Sequence, residues 1–164
     1  MALVKTYGLK KLNSADPTED GTMPEVLPEL CQTYRDSCSF VEEESTVTDE
    51  YSDQQDDPIA SFDVKGAKTI TCSTFDYSPE TLVKLKGGTI VNGQWAEPVI
   101  APEIYQAVEI LTNADLPFQF PYCRVSARFN ANFTKNGLSL LEIKFRPLSP
   151  GPGKPSVLIG KKTP

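Results

Sequence analysis

The sequence predicts an all-β domain: an antiparallel β-sandwich or barrel with one short flanking α-helix over about 78–86, long loops and extended terminal arms. Three observations carry this. Fourteen prolines and ten glycines cut the 164 residues into short segments, which suits strands and turns better than helices. Several segments alternate apolar and polar residues with period two. Only one segment shows both the start and the stop signals of a helix.

The clearest alternation is Cys123-Arg124-Val125-Ser126-Ala127-Arg128-Phe129, with apolar side chains on one face and polar ones on the other. Leu141 to Arg146 repeats it, as do Phe62-Asp63-Val64 and Thr69-Ile70-Thr71-Cys72. Each reads as a half-buried antiparallel strand with one wet face. Asn92-Gly93 predicts a hairpin turn between Thr89–Val91 and Gln94–Ala96, and Asn136-Gly137 predicts one joining the last two strands. Residues 104–112 fit a helix through Ile104, Val108 and Leu111, or a strand through Val108 and Ile110; the β-rich neighbours favour the strand.

The helix is Ser78-Pro79-Glu80-Thr81-Leu82-Val83-Lys84-Leu85-Lys86-Gly87-Gly88. Ser78 is placed to cap the first amides, Pro79 suits the first turn, and Glu80 meets the positive end of the dipole. Lys84 and Lys86 complement the other end, and Gly87 suits a left-handed stop. Leu82 and Leu85 share the face that would lie on a sheet.

The domain organisation expected is an N-terminal arm and loop over 1–30, a β-barrel domain over 31–148 and a Pro/Gly-rich C-terminal arm over 149–164. Residues 13–29, rich in Asn, Ser, Asp, Pro and Gly, read as an exposed loop. Asp49 to Asp57 reads as a long acidic loop after a strand-like Ser39–Thr48, and such loops are often functional. Near the end, Ser156-Val157-Leu158-Ile159 is apolar enough to need a partner surface.

Charge is uneven. Between Ala15 and Asp57 stand fourteen acidic residues and one basic residue, Arg35, against eight acidic and fifteen basic elsewhere. This asymmetry speaks of partners and fields rather than of fold. No run approaches the roughly 18 apolar residues of a membrane helix. The start lacks a secretory h-region, which predicts synthesis in a cytosol. There the scattered Cys31, Cys38, Cys72 and Cys123 read as free thiols rather than a disulfide framework, with Cys72 and Cys123 pointing inward.

The sequence has no histidine, which removes the commonest general base and the Ser-His and Cys-His arrangements. Nor does it supply a metal site. The acidic stretch lacks the spacing and central glycine of a calcium loop, and Glu42-Glu43-Glu44 cannot converge if they lie along a strand. Gly151-Pro152-Gly153-Lys154 lacks the phosphate-loop spacing. Arg124 and Arg128 read as a subunit contact or surface ion pairs, because nucleic-acid surfaces are usually basic and this chain is acidic. No catalytic, cofactor or metal residue is assigned.

Two blocks then carry a resemblance. One is the strand Gly66–Tyr77 running directly into the Ser78–Gly88 helix with its E-x-L-x-x-L-x-G-G pattern and a following hairpin. The other is Leu116–Val125, followed by Phe129–Phe133 and Leu138–Leu148. In order and spacing these resemble the major tail tube proteins of tailed bacteriophages over roughly Thr33 to Pro150. Residues 1–30 align with nothing in that family, and the immunoglobulin-like domain of some members has no counterpart.

The resemblance implies a structural virion protein without enzymatic activity or cofactor, assembled in the host bacterial cytoplasm into the virion tail. Six copies would form a ring with a continuous β-wall, and rings would stack around a channel for DNA. Expected partners are other copies of the chain, the tape measure, tail terminator and baseplate proteins, and DNA passing through without sequence-specific contact; no membrane is involved. On this reading Glu42, Glu44, Asp63, Glu109 and Glu142 are candidates for the lumen face, where negative charge would let DNA slide. Asp49, Glu50, Asp53, Asp56 and Asp57 are candidates for contact with the next ring, against Lys10, Lys11, Lys161 and Lys162 of the arms. The inner tube of a contractile injection system (a tailocin or type VI-like machine) shares the implied fold, and a monomeric β-sandwich binding module is the reading from a different class.

Overall fold

The computed structural model describes residues 2–163. Eleven strands and one helix follow in chain order: β1 (Lys11–Ala15), β2 (Ser39–Glu42), β3 (Thr46–Ser52), β4 (Gln55–Val64), β5 (Lys68–Thr74), α1 (Pro79–Lys86), β6 (Thr89–Val91), β7 (Gln94–Ala96), β8 (Ile104–Leu111), β9 (Pro117–Asn130), β10 (Leu140–Pro147) and β11 (Leu158–Ile159). The all-β class with one short helix is therefore observed. Residues 104–111 form the expected strand, with an irregularity between Gln106 and Val108.

One seven-stranded antiparallel sheet forms the body, in the order β1-β8-β9-β10-β5-β2, with β11 on β9. It curls on itself. The cleft lined by Phe40 of β2 and by Cys38 just before it also includes Ile110 of β8 and Phe118 of β9, from the far side of the strand order. Phe40 meets the edge of Phe120 with ring centres 5.0 Å apart. Alternation drives this curl: Ile70, Cys72, Phe120, Cys123, Val125, Leu141, Ile143 and Phe145 all point into one core and are buried. Burying each of the larger aliphatic or aromatic ones contributes about 1.5 to 3 kcal/mol.

The helix closes one end of the core through Leu82 and Leu85. Its start differs from expectation. Ser78 makes no side-chain bond to the helix amides; its hydroxyl pairs with that of Thr81 at 2.9 Å, while Asp76 accepts from the Ser78 amide and the Thr81 hydroxyl. The nearby carboxylate thus takes Ser78's amide and leaves its hydroxyl to Thr81. Gly87 has positive φ but lies outside the left-handed helical basin, and its amide still closes on the Val83 carbonyl. The Trp95 indole donates to the Gly87 carbonyl at 2.8 Å and so fixes the β6–β7 hairpin on the helix end. In that hairpin Asn92 and Gly93 both have positive φ, as the two-residue turn requires.

Three expectations are corrected. Residues 1–30 are not wholly an arm and loop: β1 pairs with β8 from Lys11↔Leu111 to Ala15↔Ala107, and Leu12 is fully buried. A five-residue strand with one deeply buried apolar side chain gives almost no alternation to read. The C-terminal segment also belongs to the body, where Leu158↔Gln119 and Ile159↔Phe118 pair and Val157 packs on the core. This supplies the partner surface that the apolar end needed. Finally, Asn136-Gly137 is no tight turn. β9 and β10 pair only as far as Asn130↔Leu140, so these residues sit within a longer connection that leaves Phe133 and Leu138 exposed.

Candidate functional site

The stretch read as an acidic loop, Asp49 to Asp57, is instead the outer part of a two-stranded ribbon. β3 and β4 pair from Thr46↔Val64 to Glu50↔Ala60 and, past a bulge, Ser52↔Gln55, leaving only Asp53-Gln54 as the turn. Acidic residues are poor strand formers, which hides a hairpin held by Thr, Val, Ile and Phe at alternating sites. Pro58 is tolerated because each strand has one free edge.

This ribbon stands away from the body. Except for half-buried Ser52 and Ala60, every residue in both strands is exposed. Phe62 and Val64, expected to be half-buried, are 59% and 65% exposed, and Val47, Tyr51 and Ile59 are exposed as well. Cross-strand partners share a face. Val64, Phe62 and Ala60 with Thr46, Thr48 and Glu50 therefore make one face; Val47, Asp49, Ser61 and Asp63 make the other, which Ile59 joins. Both faces carry apolar side chains with nothing packed over them.

The ribbon's charge is equally distinct. From Thr46 to Val64 it holds six acidic residues and no basic one, whereas the remaining residues hold sixteen of each sign. The whole formal net charge of −6 thus resides in this projection.

Its root is firmly placed. The Glu43 amide donates to the Ala67 carbonyl at 2.9 Å. Gly66 passes so close beneath Glu43 that a Cβ there would overlap the Glu43 carbonyl. The crossing thus requires glycine and sets where the ribbon leaves the sheet.

A second surface is the polar outer face of the sheet. Arg124 of β9 lies directly opposite Arg146 of β10, and Lys144 opposite Ser126 two residues further along. Arg128 pairs with Glu142, which also accepts from Asn130 at 3.1 Å. Arg124 has Glu103 at 3.9 Å, and Tyr105 stacks on Tyr122 beside it with ring centres 4.9 Å apart. Of the two roles read for Arg124 and Arg128, subunit contact or surface ion pair, the single chain shows an ion-pair partner for each.

The five residues expected to line one lumen are not brought together. Glu109 and Glu142 lie on the outer face of the sheet, where Glu109 accepts from Gln119 at 2.7 Å and Asn13 at 3.2 Å. Glu42 sits at the end of β2 opposite Lys68, Glu44 in the link to β3, and Asp63 on the ribbon. Alternation fixes which side of its own strand a residue takes, but it does not show that β3 and β4 leave the sheet.

Of the residues proposed to meet the next ring, all five acids lie on the ribbon. The four lysines are dispersed. Lys10 is tied to Asp115 at 2.8 Å, holding that carboxyl below its usual range. Lys11 lies on β1, while Lys161 and Lys162 line a cleft between residues 18–25 and the C-terminal segment. The apolar ribbon residues were missed as site residues; alternation through Thr46-Val47-Thr48 and Ile59 to Val64 was the available signal.

Among the described residues there is no group of three or more Cys, Asp or Glu side chains placed to hold a metal ion, and no helix is long and apolar enough to cross a membrane. Comparison with protein-family models and with curated proteins finds no match.

Proposed function

We propose that this chain is a tail tube subunit of a bacteriophage-type particle, a structural protein that assembles with copies of itself into stacked hexameric rings around a channel for DNA. The observation that supports this best is the β3–β4 ribbon. A two-stranded hairpin is marginal in water by itself, and this one exposes apolar side chains on both faces and leaves both long edges unpaired. Such an element fits a role completed by another subunit. Its negative charge also discourages ribbons from pairing indiscriminately with one another. The order strand, capped helix and hairpin carries the resemblance to tail tubes, and the ribbon supplies the reaching element that ring stacking needs. Other tail proteins and transient DNA are the remaining partners on this reading, and no chemistry is assigned to any side chain.

The test is negative-stain microscopy of the concentrated protein, with and without residues 49–57. Rings or hollow tubes are expected for the intact chain, and folded subunits that do not polymerise for the deletion. A stable monomer at high concentration would overturn the proposal, as would normal tubes from the deletion.

A further inference from the structure

Three of the four cysteines gather where β2 meets β5. Ser39 pairs with Thr71, so the next opposed positions are Cys38 and Cys72. Residues directly opposed across antiparallel strands have Cα atoms about 4.5 to 5.5 Å apart. That lies inside the roughly 4.4 to 6.8 Å spanned by disulfides. Cys31 is buried nearby, just before the bridge between Thr33 and Thr74.

The two opposed thiols differ in access. Cys72 is buried in the core, whereas Cys38 is half-buried and lines an open cleft of about 770 Å³ with Arg35, Phe40, Thr112 and Phe118. They also differ in acidity. The neighbouring Cys72 thiol favours the ionised form of Cys38 and lowers it against the opposing effect of burial. Contact with Cys38 and burial both raise Cys72. An accessible thiol that ionises first, backed by an inaccessible one in register, is the arrangement of an attacking and a resolving cysteine.

We propose that Cys38 and Cys72 form a cross-strand dithiol that takes a small-molecule disulfide through the cleft and closes to an intramolecular disulfide pinning β2 to β5. The Cys38 thiolate attacks one sulfur of the incoming disulfide, whose S–S bond breaks and releases a thiol after protonation. Cys72 then loses its proton and attacks the Cys38 sulfur. The mixed disulfide breaks, and a second small thiol leaves. The protein loses two protons and two electrons, which reduce the small disulfide to two thiols. The crosslink would close the β2–β5 ladder at its end away from the ribbon root, five residues before Glu43. The chemistry does not depend on the tube reading, and it is measured on the soluble subunit.

The experiment incubates the folded protein with oxidised glutathione, quenches with acid, alkylates, and maps peptides by mass spectrometry. A linked Cys38–Cys72 pair with loss of two hydrogens is expected, with Cys31 and Cys123 still alkylated after unfolding. Cys72→Ser should stop at a glutathione adduct on Cys38, and Cys38→Ala should take up no glutathione while circular dichroism reports an unchanged fold. A persistent adduct on Cys38 in the unmodified sequence would overturn the proposal. So would a crosslink through Cys31, or no reaction at Cys38.

Discussion

On the tube reading proposed above, replacing Phe62 by alanine should separate the stability of the subunit from its assembly. Phe62 is 59% exposed, so the folded subunit already covers the smaller part of its side chain. Fully burying such a ring contributes about 1.5 to 3 kcal/mol. Scaled by exposure, about 1 to 2 kcal/mol per copy remains to be gained when another subunit covers it, and about 1 kcal/mol or less is already realised in the monomer. Phe62→Ala should therefore lower the unfolding free energy of the isolated subunit by no more than about 1 kcal/mol, measured by urea denaturation. The concentration at which light scattering detects polymer should rise roughly 5- to 30-fold. Phe145→Ala provides the contrast: Phe145 is fully buried, and its loss should cost about 3 to 5 kcal/mol before any assembly is considered. Unchanged polymerisation of Phe62→Ala would refute the reasoning, because the ring would then have no partner to bury it. A stability loss as large as that of Phe145→Ala would refute it too, since the ribbon would then be part of the core.

Gly66→Ala places a Cβ against the Glu43 carbonyl, so the backbone at the ribbon root must move; a loss of about 1 to 3 kcal/mol in urea unfolding is expected, with impaired polymerisation even where the subunit remains folded. Closing Cys38 to Cys72 removes disorder from the unfolded chain over the intervening loop, and the chain-entropy relation gives about 4 kcal/mol of stabilisation, read as a rise in urea midpoint that dithiothreitol reverses. Asp20 accepts from the Thr22 hydroxyl at 2.7 Å, the Thr18 hydroxyl at 2.8 Å and the Thr22 amide at 3.1 Å, which lower its pKa to about 2. Because the folded value is depressed, its contribution is complete above the ordinary aspartate range and is lost as pH falls through about 2; a carboxyl NMR titration midpoint near the ordinary value would contradict this.

The body of the fold was legible wherever a strand has one wet face. Residues 123–129 and 141–146 alternate because one side meets the core and the other meets water, and both are strands in register. The helix was legible through Pro79, its charged ends and the Leu82/Leu85 face, although the Ser78 hydroxyl turned to Thr81 instead of the backbone. What stayed hidden has a common physical cause. β1 is recruited by β8 and β11 by β9, through backbone pairing that short sequences do not announce. The ribbon was read as a loop because its acidic composition outweighed its alternation. In a hairpin with both faces exposed, no buried side exists to force a clear apolar stripe.

That same exposure bears on why charge and apolar area coincide on the ribbon. An exposed apolar hairpin with free edges would by itself pair with any other strand, including another ribbon. Six acidic residues among Thr46 to Val64 make that ribbon-to-ribbon encounter repulsive. On the sheet the problem has the opposite sign: Arg124 directly opposes Arg146, and Lys144 stands two residues along the strand from Arg146 on the same face. Like charges so placed are unfavourable in an isolated subunit unless counter-charge reaches them. Glu103 approaches Arg124, but at 3.9 Å and with both side chains more than half exposed its effect is small. Under the tube reading, the acidic ribbon of one copy and the basic face of another each relieve what is unfavourable in the other, so complementary charge favours contact between unlike surfaces over self-pairing of either one. An assembly built from unlike surfaces can propagate beyond a pair, which is the geometric requirement for rings and tubes.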